Sequence, residues 1–450
     1  MVDYRSKLIT VDQALDLVRD GDNITVGLGA NEPPAFLSSL HRIADRVSDV
    51  TITDCLPTVM GEYLSEENIR SSFSIDCWFS TPPLRKLAGT GRVSFIPNHL
   101  HLAGTKRNAH KRSRMLISLA SMPEADGRTR FAAGNTYEEM IGRDADLRIV
   151  EISPNAPHCY GQNYLDWDSI DYVIESDGWP GTIPVVAPND RDLVIGRYIA
   201  DLVDDGDCIQ VGIGGIPNAV CGYLMEKKDL GIHTEMMTTG IMDLMKAGVV
   251  TGARKQVDVG KAVFAFALGS AEMYEFIDRN PDCWTGRGEE VNNPWLIARN
   301  DNQVSINTSI EIDLTGQCCS ESIGTQQISG TGGQSDTATG AQRSRNGRSI
   351  IALYSTVEKT DRVTGEKQVI SKIVPTLRPG AAVSLSRNDV DWVVTEYGAV
   401  SLRGTTIAER VERLISIAHP DFREQLHAEA VRCGYVSVAP SVARAAVVGR

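Results

Sequence analysis

The sequence lacks the cysteine patterns of a metal site or a disulfide framework. Its 450 residues include nine cysteines, an odd number, and no two are spaced as Cys-x-x-Cys. Cysteines and histidines do not recur at the spacing of a zinc site either. We therefore expect no bound metal and a reduced, cytoplasmic compartment.

Long apolar runs and a surplus of positive charge are also absent. No stretch of about 20 apolar residues could span a membrane, and acidic residues stand where a signal peptide would be apolar. We expect a protein that is neither exported nor membrane-spanning. The formal net charge of −13 argues against nucleic acid as the main partner, because binding to a phosphate backbone needs a basic surface. One basic run, residues 106–114, is either a solvated face or a contact to an outer phosphate of a ligand.

A glycine turn in residues 211–220, VGIGGIPNAV, raises the question of a phosphate ligand. The dinucleotide fingerprint Gly-x-Gly-x-x-Gly is incomplete here, because Pro217 occupies the third glycine position. The interpretation of the protein as an NAD-binding oxidoreductase therefore rests on an incomplete match to this fingerprint. The alternative is a strand-to-helix connection in which glycines permit a tight turn and proline begins the helix.

The segment before this turn occurs twice in the chain. Residues 18–29 (VRDGDNITVGLG) and 203–214 (VDDGDCIQVGIG) lie 185 positions apart and are identical at eight of twelve positions. Each copy combines a helical stretch, an Asp-Gly-Asp turn, a β-branched strand and a glycine turn. The repeat predicts an α/β fold of two duplicated open α/β/α domains.

A weaker repeat predicts how each domain ends. Residues 170–174 and 390–394 are both apolar strands that precede a glycine, and a proline- and glycine-rich segment, residues 178–184, lies between the two halves. We place the division near residue 185, giving an N-terminal domain of residues 1–185 and a C-terminal domain of residues 186–450. Ligands favour clefts between such domains and the carboxyl ends of parallel strands.

Glu235 is the main candidate for covalent chemistry. It follows a short apolar strand, in IHTEMMTTG, where a carboxylate could attack an activated carbonyl; the alternative is an exposed loop glutamate. The glycine-rich residues 324–336 could present N–H groups to an oxygen or phosphate, or could form a flexible loop. They are not a phosphate-binding Walker loop, because no Gly-Lys-Ser/Thr follows, and the chain has no Gly-x-Ser-x-Gly elbow of a serine hydrolase.

Three histidines are weaker candidates. His233 precedes Glu235 in the same strand, and we expect it to point to the opposite face and to be structural. His99 and His101 are predicted on one face of a strand, without a carboxylate nearby to complete a metal site.

Five segments together resemble the acetyl-CoA hydrolase/transferase branch of the class I coenzyme A transferases, and within it the 4-hydroxybutyrate and butyryl CoA-transferases. In chain order they are VGIGGIPNAV, IHTEMMTTG, ISGTGGQSD, VPTLRPGAAVSLSRNDVDWVVTEYGAVSLRG and IAHPDFREQL. The resemblance is strongest over residues 186–435. In the N-terminal half, residues 121–127 (SMPEADG) replace an Asp-x-His-Gly turn that is common in the family, a difference that bears on acyl specificity.

The resemblance implies roles for particular residues. Glu235 corresponds to the family's catalytic glutamate, and the amide of Ile213 to one oxyanion-hole donor. A glycine of residues 330–333, taken as Gly332, corresponds to the other donor. The contacts to coenzyme A that the family implies are Gly212, Ile213, Gly214, Gly215, Ile216, Ile310, Gly330, Gly333 and Lys359.

The activity implied is transfer of CoA from a short-chain acyl-CoA to a free carboxylate, by a ping-pong mechanism through a glutamyl-CoA thioester. CoA would be a substrate, with no permanently bound cofactor, and the enzyme a homo-oligomer. From the repeat, we predict an acceptor pocket in the N-terminal domain formed by Asn31, Glu32, Met60 and Glu62. A dicarboxylate such as succinate or itaconate as acceptor, and water as acceptor in an acetyl-CoA hydrolase, remain open alternatives.

Overall fold

The computed structural model describes residues 3–125, 127–360 and 364–437. Asp126, in the altered turn of the N-terminal half, and residues 361–363, shortly after Lys359, lie outside the described residues. Within them, no helix is both long and apolar enough to cross a membrane.

Strands of the N-terminal half form a parallel sheet. The strands of this half are β1 (Asn23–Val26), β2 (Val50–Asp54), β3 (Phe73–Cys77), β4 (Val93–Phe95), β5 (Met115–Ala120), β6 (Arg128–Arg130), β7 (Leu147–Ile152), β8 (Tyr164–Asp166) and β9 (Tyr172–Glu175). Seven of them form a sheet in the order β4-β3-β2-β1-β5-β7-β9, while β6 and β8 pair separately.

The C-terminal half contains a second sheet. Its strands are β10 (Cys208–Val211), β11 (Gly231–Met237), β12 (Ala262–Ala267), β13 (Cys283–Thr285), β14 (Gln303–Thr308), β15 (Glu311–Asp313), β16 (Cys318–Cys319), β17 (Ser322–Ile323), β18 (Gln326–Gln327), β19 (Arg348–Ala352), β20 (Thr356–Thr360), β21 (Lys367–Ser371), β22 (Ile373–Val374), β23 (Trp392–Thr395) and β24 (Gly398–Ser401). The sheet order is β13-β12-β11-β10-β14-β19-β23-β24, and β24 alone of these eight pairs antiparallel.

The seven strands of the first sheet and the first seven of the second follow the same order, which confirms the predicted duplication, and β24 extends the second sheet by one strand. The repeat at an offset of 185 aligns β1 with β10 residue for residue, and each is the fourth strand from one edge of its sheet. The weaker repeat aligns β9 with β23, the seventh strand in each order. The predicted α/β fold of two duplicated domains is thus confirmed.

The central strands β1, β2, β5, β10 and β12 are buried along their whole length, as expected for a parallel sheet that helices cover on both faces. β12, with the sequence AVFAFA, is buried at every position. The α-helices are α1 (Val11–Asp16), α2 (Pro34–Ser39), α3 (Glu66–Ser71), α4 (Pro82–Leu87), α5 (Ala103–His110), α6 (Glu138–Asp144), α7 (Asp190–Ala200), α8 (Gly215–Leu224), α9 (Thr239–Lys246), α10 (Ala271–Ile277), α11 (Gly288–Val291), α12 (Pro294–Ile297), α13 (Gln334–Arg343), α14 (Ile407–Ser416) and α15 (Pro420–Arg432). Short 3-10 helices span Tyr4–Lys7, Gly29–Asn31, Leu40–Ile43, Glu62–Leu64, Ala88–Thr90, Leu100–Leu102 and Trp167–Ser169.

The segment between the halves, residues 176–189, contains no helix or strand, and the predicted division near residue 185 lies within it. The halves nevertheless share contacts. Single β-bridges join Gly134 to Phe266 and Gly161 to Thr285. Of the basic run in residues 106–114, Arg107 is buried and pairs with Asp76 at 2.6 Å, so it is not a solvated residue.

Candidate active site

Glu235 lies on β11, inside the second sheet and two residues before the end of the strand. Every other residue of β11 is buried, whereas Glu235 is half-buried. Its Oε2 accepts a 2.6 Å hydrogen bond from Nδ2 of Asn292, and the N–H of Gly333 donates to the same carboxylate. Two separate segments therefore hold the predicted nucleophile.

The backbone at Gly333 approaches this carboxylate so closely that a side chain would not fit. A Cβ added to Gly333 would lie 1.7 Å from Oε2 of Glu235 and 2.0 Å from Nδ2 of Asn292. The preceding Gly332 has a φ of +52°, in the left-handed region that favours glycine. Glycine at position 333 thus lets its N–H reach the carboxylate, and glycine at position 332 permits the turn that precedes it.

The surroundings of Glu235 disfavour its charged form. Burial, assisted by the negative charge of Asp336, raises the pKa of Glu235 to about 7, although the hydrogen bonds from Asn292 and Gly333 oppose the rise. Asp336 is itself buried, and its carboxylate accepts hydrogen bonds from the backbone N–H of His101 at 3.1 Å and from Nδ1 of His101 at 2.8 Å. A carboxylate with a pKa near neutrality is poised between its acid and nucleophilic forms.

The glycine-rich loop before α13 packs against the N-terminal half. The N–H of Ser80 donates to the carbonyl of Ser329 at 3.1 Å, and the N–H of Leu100 donates to the carbonyl of Gly332 at 3.2 Å. A Cβ on Gly330 would lie 2.2 Å from the carbonyl oxygen of Trp78. Of the two readings of residues 324–336, an ordered loop is therefore observed over residues 329–333, and it joins the halves beside Glu235.

The prediction that His233 points away from Glu235 is wrong. The two residues are two positions apart on β11, and side chains at i and i+2 lie on the same face of a strand. Nε2 of His233 lies 2.8 Å from the carbonyl oxygen of Val291, the residue before Asn292. Burial lowers the pKa of His233 to about 4, so the ring is neutral and donates this hydrogen bond. His233 thereby fixes the segment that carries the donor to Glu235.

His99 and His101 do not lie on a strand, contrary to the prediction. The 3-10 helix Leu100–Leu102 replaces the expected strand, and the two Nδ1 atoms approach one carboxylate oxygen of Asp336, at 3.6 Å and 2.8 Å. The sequence did not reveal this carboxylate, because it is more than two hundred residues away in the chain.

The turn at residues 212–216 connects β10 to α8, as the strand-to-helix interpretation requires. Gly214 has a φ of +121°, and the side chain of Ile213 is 45% exposed. In the described part of the chain, the N–H groups of Ile213 and Gly332 donate to no protein acceptor. They are thus free to donate to a ligand.

Two cavities flank this turn, and Ile213 and Gly214 line both of them. The first, of about 340 Å³, is mainly apolar and is also lined by residues 183–186, Thr238 and Leu268. The second, called the polar cavity because it is the more polar of the two, has a volume of about 220 Å³ and is lined on its far side by Thr308, Ser309, Tyr354 and Lys372. The turn therefore separates a mainly apolar space from a more polar one.

The contacts to coenzyme A implied by the resemblance are only partly brought together. Residues 213–216 line the polar cavity, whereas Gly212 does not, and Gly333 lies at Glu235. Ile310 follows Ser309 of the cavity wall but does not line it. Lys359 is exposed on the hairpin of β20 and β21, whereas Lys372, just beyond β21, faces the cavity.

The four residues predicted to form an acceptor pocket do not line either cavity. Asn31 is buried and donates to Glu138 at 2.8 Å, and Glu32 is buried and accepts from the hydroxyl of Thr58 at 2.6 Å. Met60 is 51% exposed, and Glu62 is exposed beside His41 at 3.3 Å. The first two therefore hold the turn after β1 together, and only the exposed pair could meet a ligand directly.

Known protein families match both halves of the chain. The model of the acetyl-CoA hydrolase/transferase N-terminal domain matches residues 1–186, and that of the C-terminal domain matches residues 269–430. A succinyl-CoA:cyclohexane-1-carboxylate CoA transferase from Geobacter metallireducens is 38% identical over 426 residues, which cover 94% of this chain and 95% of that protein. A 4-hydroxybutyrate coenzyme A transferase from Clostridium kluyveri is 36% identical over 427 residues, which cover 94% and 97%.

The fold agrees as well. The crystal structure of RipA from Yersinia pestis matches this chain with a TM-score of 0.87 at 34% identity, covering 96% of this chain and 99% of that one. The predicted enzyme class, a CoA-transferase, is confirmed by these relatives. The chain belongs to the acetyl-CoA hydrolase/transferase family.

Proposed function

We propose that this enzyme moves CoA from a short-chain acyl-CoA to a free carboxylate through a thioester on Glu235. The observation that carries the proposal is the Glu235 carboxylate, held by Asn292 and by Gly333 at the end of the loop that joins the halves. CoA enters as a substrate and no cofactor stays bound. A homo-oligomer and a cytoplasmic location remain predictions from the sequence.

The chemistry follows from a carboxylate nucleophile beside free amides. A carboxylate oxygen of Glu235 attacks the thioester carbonyl carbon, the C–S bond breaks, and an acyl-glutamyl anhydride and the CoA thiolate form. The thiolate attacks the glutamyl carbonyl, which releases the donor acid and leaves glutamyl-CoA. An acceptor carboxylate reverses both steps.

Each attack passes through a tetrahedral oxyanion, which needs fixed donors. We assign the N–H groups of Ile213 and Gly332 to this role, because both are free of protein acceptors and Gly333 is already engaged with the carboxylate. Removing one such donor costs about 2.7–4 kcal/mol of transition-state stabilisation in comparable sites.

The acyl groups exchanged are proposed to be those of 4-hydroxybutyrate, butyrate or acetate. This choice is based on relatives such as the 4-hydroxybutyrate coenzyme A transferase, whose names state these substrates. A dicarboxylate acceptor such as succinate or itaconate is the first alternative, and an acetyl-CoA hydrolase is the second. The oxidoreductase suggested by the glycine turn is set aside, because the matching family models are those of acetyl-CoA hydrolase/transferase domains.

A panel of carboxylates offered with acetyl-CoA and succinyl-CoA tests the proposal. With both substrates varied, we expect parallel lines in double-reciprocal plots, because the first product leaves before the acceptor binds. Intersecting lines would contradict the glutamyl intermediate. Release of CoA at the same rate without any carboxylate would identify a hydrolase instead.

The pH dependence of kcat/KM provides a further prediction. Since only the ionised carboxylate is a nucleophile and the pKa of Glu235 is raised to about 7, kcat/KM should rise with pH and level off above about pH 8. The hydrogen bond from Asn292 lowers this pKa, so Asn292→Ala should shift the rise to higher pH.

Asn293→Ala is the matched control for this shift. The side chain of Asn293 caps α12 and does not contact Glu235, so its pH profile should coincide with that of the unmodified enzyme. A profile that is flat between pH 5 and 9, or an unshifted rise in the Asn292 variant, would show that another group sets the pH dependence.

A further inference from the structure

Hydrogen bonds hold the 3-10 helix that contains His101, in the N-terminal half, against the glycine-rich loop and the first turn of α13. The N–H of Leu100 donates to the carbonyl oxygen of Gly332 at 3.2 Å. The N–H of His101 donates to Oδ2 of Asp336 at 3.1 Å, and Nδ1 of His101 lies 2.8 Å from Oδ1 of the same carboxylate. The N-terminal half therefore contacts both the loop and the helix that lie beside Glu235.

One peptide group links this contact to the nucleophile. The carbonyl oxygen of Gly332 and the N–H of Gly333 belong to the same planar peptide group and point in opposite directions. The carbonyl accepts from Leu100, while the N–H donates to the carboxylate of Glu235. Because hydrogen bonds in a chain polarise one another, the bond from Leu100 strengthens the bond to Glu235. The donor to the nucleophile is thus oriented from the N-terminal half.

The carboxylate of Asp336 carries the charge in this contact. It is buried, and in the described part of the chain its ion pairs are with histidines, His101 at 2.8 Å and His99 at 3.6 Å. Burial raises the pKa of Glu235 to about 7, and the charge of Asp336 adds to the rise. A neighbouring like charge disfavours the ionised form of a carboxyl group, so Asp336 makes Glu235 more basic and, once ionised, more nucleophilic.

The other titratable groups near Glu235 are neutral. From the segment after β2, the thiol of Cys55 faces Glu235, and burial raises its pKa well above its usual range. On β11 itself, His233 is neutral because burial lowers its pKa to about 4. No lysine or arginine among the described residues forms an ion pair with Glu235 or Asp336. Besides the hydrogen bonds that Glu235 itself accepts, the charge of Asp336 and the donors of His101 therefore adjust its acidity.

We propose that His101 is a positioning residue for the nucleophile: through Asp336 and the peptide group between Gly332 and Gly333, it fixes the orientation and the electrostatic environment of Glu235. The inference rests on the proposed function, because it takes Glu235 to be the group that attacks the thioester. His101 acts through its hydrogen bonds to Asp336, not through contact with the substrate. The nucleophile in the C-terminal half thus depends on a side chain of the N-terminal half.

Two substitutions in this pair should shift the pH dependence of kcat/KM in opposite directions. In His101→Leu an apolar side chain replaces the ring, so Asp336 loses a donor and repels the charge of Glu235 more strongly. The rise of kcat/KM should then move to higher pH by roughly 0.5–1 unit. In Asp336→Asn the contacts with His101 can persist, because the amide oxygen accepts the backbone N–H and the amide nitrogen donates to Nδ1 in the other imidazole tautomer. Only the charge is lost, so the rise should move to lower pH.

Two further variants separate a specific hydrogen bond from a general loss of packing. In His101→Asn the amide nitrogen lies near the position of Nδ1 and can still donate to Asp336, so the pH profile should match that of the unmodified enzyme. The longer amide of His101→Gln reaches the position of Nε2 instead, and this variant should behave like His101→Leu. His110→Ala is the matched control, because His110 is exposed at the end of α5, and its profile should not change.

Infrared difference spectroscopy tests the ionisation of Glu235 without acyl-CoA. Subtraction of the Glu235→Gln spectrum identifies the band of the protonated carboxyl group, and the loss of this band with rising pH gives the pKa in each variant. We expect the pKa to be lowest in Asp336→Asn, intermediate in the unmodified enzyme and highest in His101→Leu. Equal midpoints in all three, or shifts in the same direction, would overturn the inference. The expected order in an enzyme that transfers CoA to no carboxylate would instead refute the proposed function alone.

Discussion

Replacement of Glu235 by glutamine is expected to lower the rate of CoA transfer by a factor of at least about 10⁴. The amide has nearly the shape of the carboxylate and can still contact Asn292 and Gly333, but it cannot attack a thioester. The measurement is the initial rate of acetyl-CoA formation from succinyl-CoA and acetate, or from whichever acyl pair the carboxylate panel identifies.

Loss of folding is not expected to cause this effect. Because the pKa of Glu235 is raised from 4.5 to about 7 in the folded state, the carboxyl group lowers stability as pH rises through that interval and holds it low above it. Glutamine carries no charge to bury, so the thermal unfolding midpoint at pH 8 should equal or exceed that of the unmodified enzyme. A Glu235→Gln variant that still transfers CoA within tenfold of the normal rate would exclude the glutamyl intermediate.

Gly333→Ala is expected to reduce kcat by about 10² to 10³. Its Cβ would lie 1.7 Å from Oε2 of Glu235, so the carboxylate must move away from the thioester and from Asn292. Backbone strain does not contribute, because Gly333 has a φ of −101°, which any residue adopts. The variant should therefore fold and still bind CoA, and the loss should appear in kcat measured by the same transfer assay.

Gly222→Ala is the matched control for this substitution. Gly222 lies in α8, exposed, with no atom within 4 Å of an added Cβ. Alanine is the better helix former, so this variant should be more stable by about 0.5–1 kcal/mol and fully active. Equal activities of the two alanine variants would mean that the approach of Gly333 to Glu235 has no catalytic role.

The sequence predicted the fold because the duplication left a direct record. Residues 18–29 and 203–214 each retain the turn and strand that begin a sheet, and the structure aligns β1 and β10 at the same offset. Glu235 could be predicted as the nucleophile because it belongs to a continuous motif on a single strand, and the structure places its carboxylate at Asn292 and Gly333. A local sequence pattern is sufficient to predict a candidate residue when that residue lies within the same short segment as the strand that carries it.

Contacts between distant segments could not be predicted. Asn292 and Asp336 approach Glu235 only after the chain has folded, and neither belongs to a motif that specifies that approach. Lys359 was predicted from the resemblance to the family, whereas the structure places it exposed on the hairpin of β20 and β21 and places Lys372 at the cavity. The strand predicted at His99 and His101 does not form, because tertiary contacts with Asp336 hold a 3-10 helix there.

The central claim is that CoA becomes attached to Glu235. The most direct test is incubation with acyl-CoA in the absence of any acceptor, followed by mass spectrometry of the peptide that contains Glu235. We predict a mass gain equal to CoA less one water, at Glu235 and in no Glu235→Gln sample, because the glutamyl-CoA thioester replaces the carboxylate. An unmodified Glu235 peptide, from enzyme that transfers CoA when a carboxylate is then added, would contradict the account.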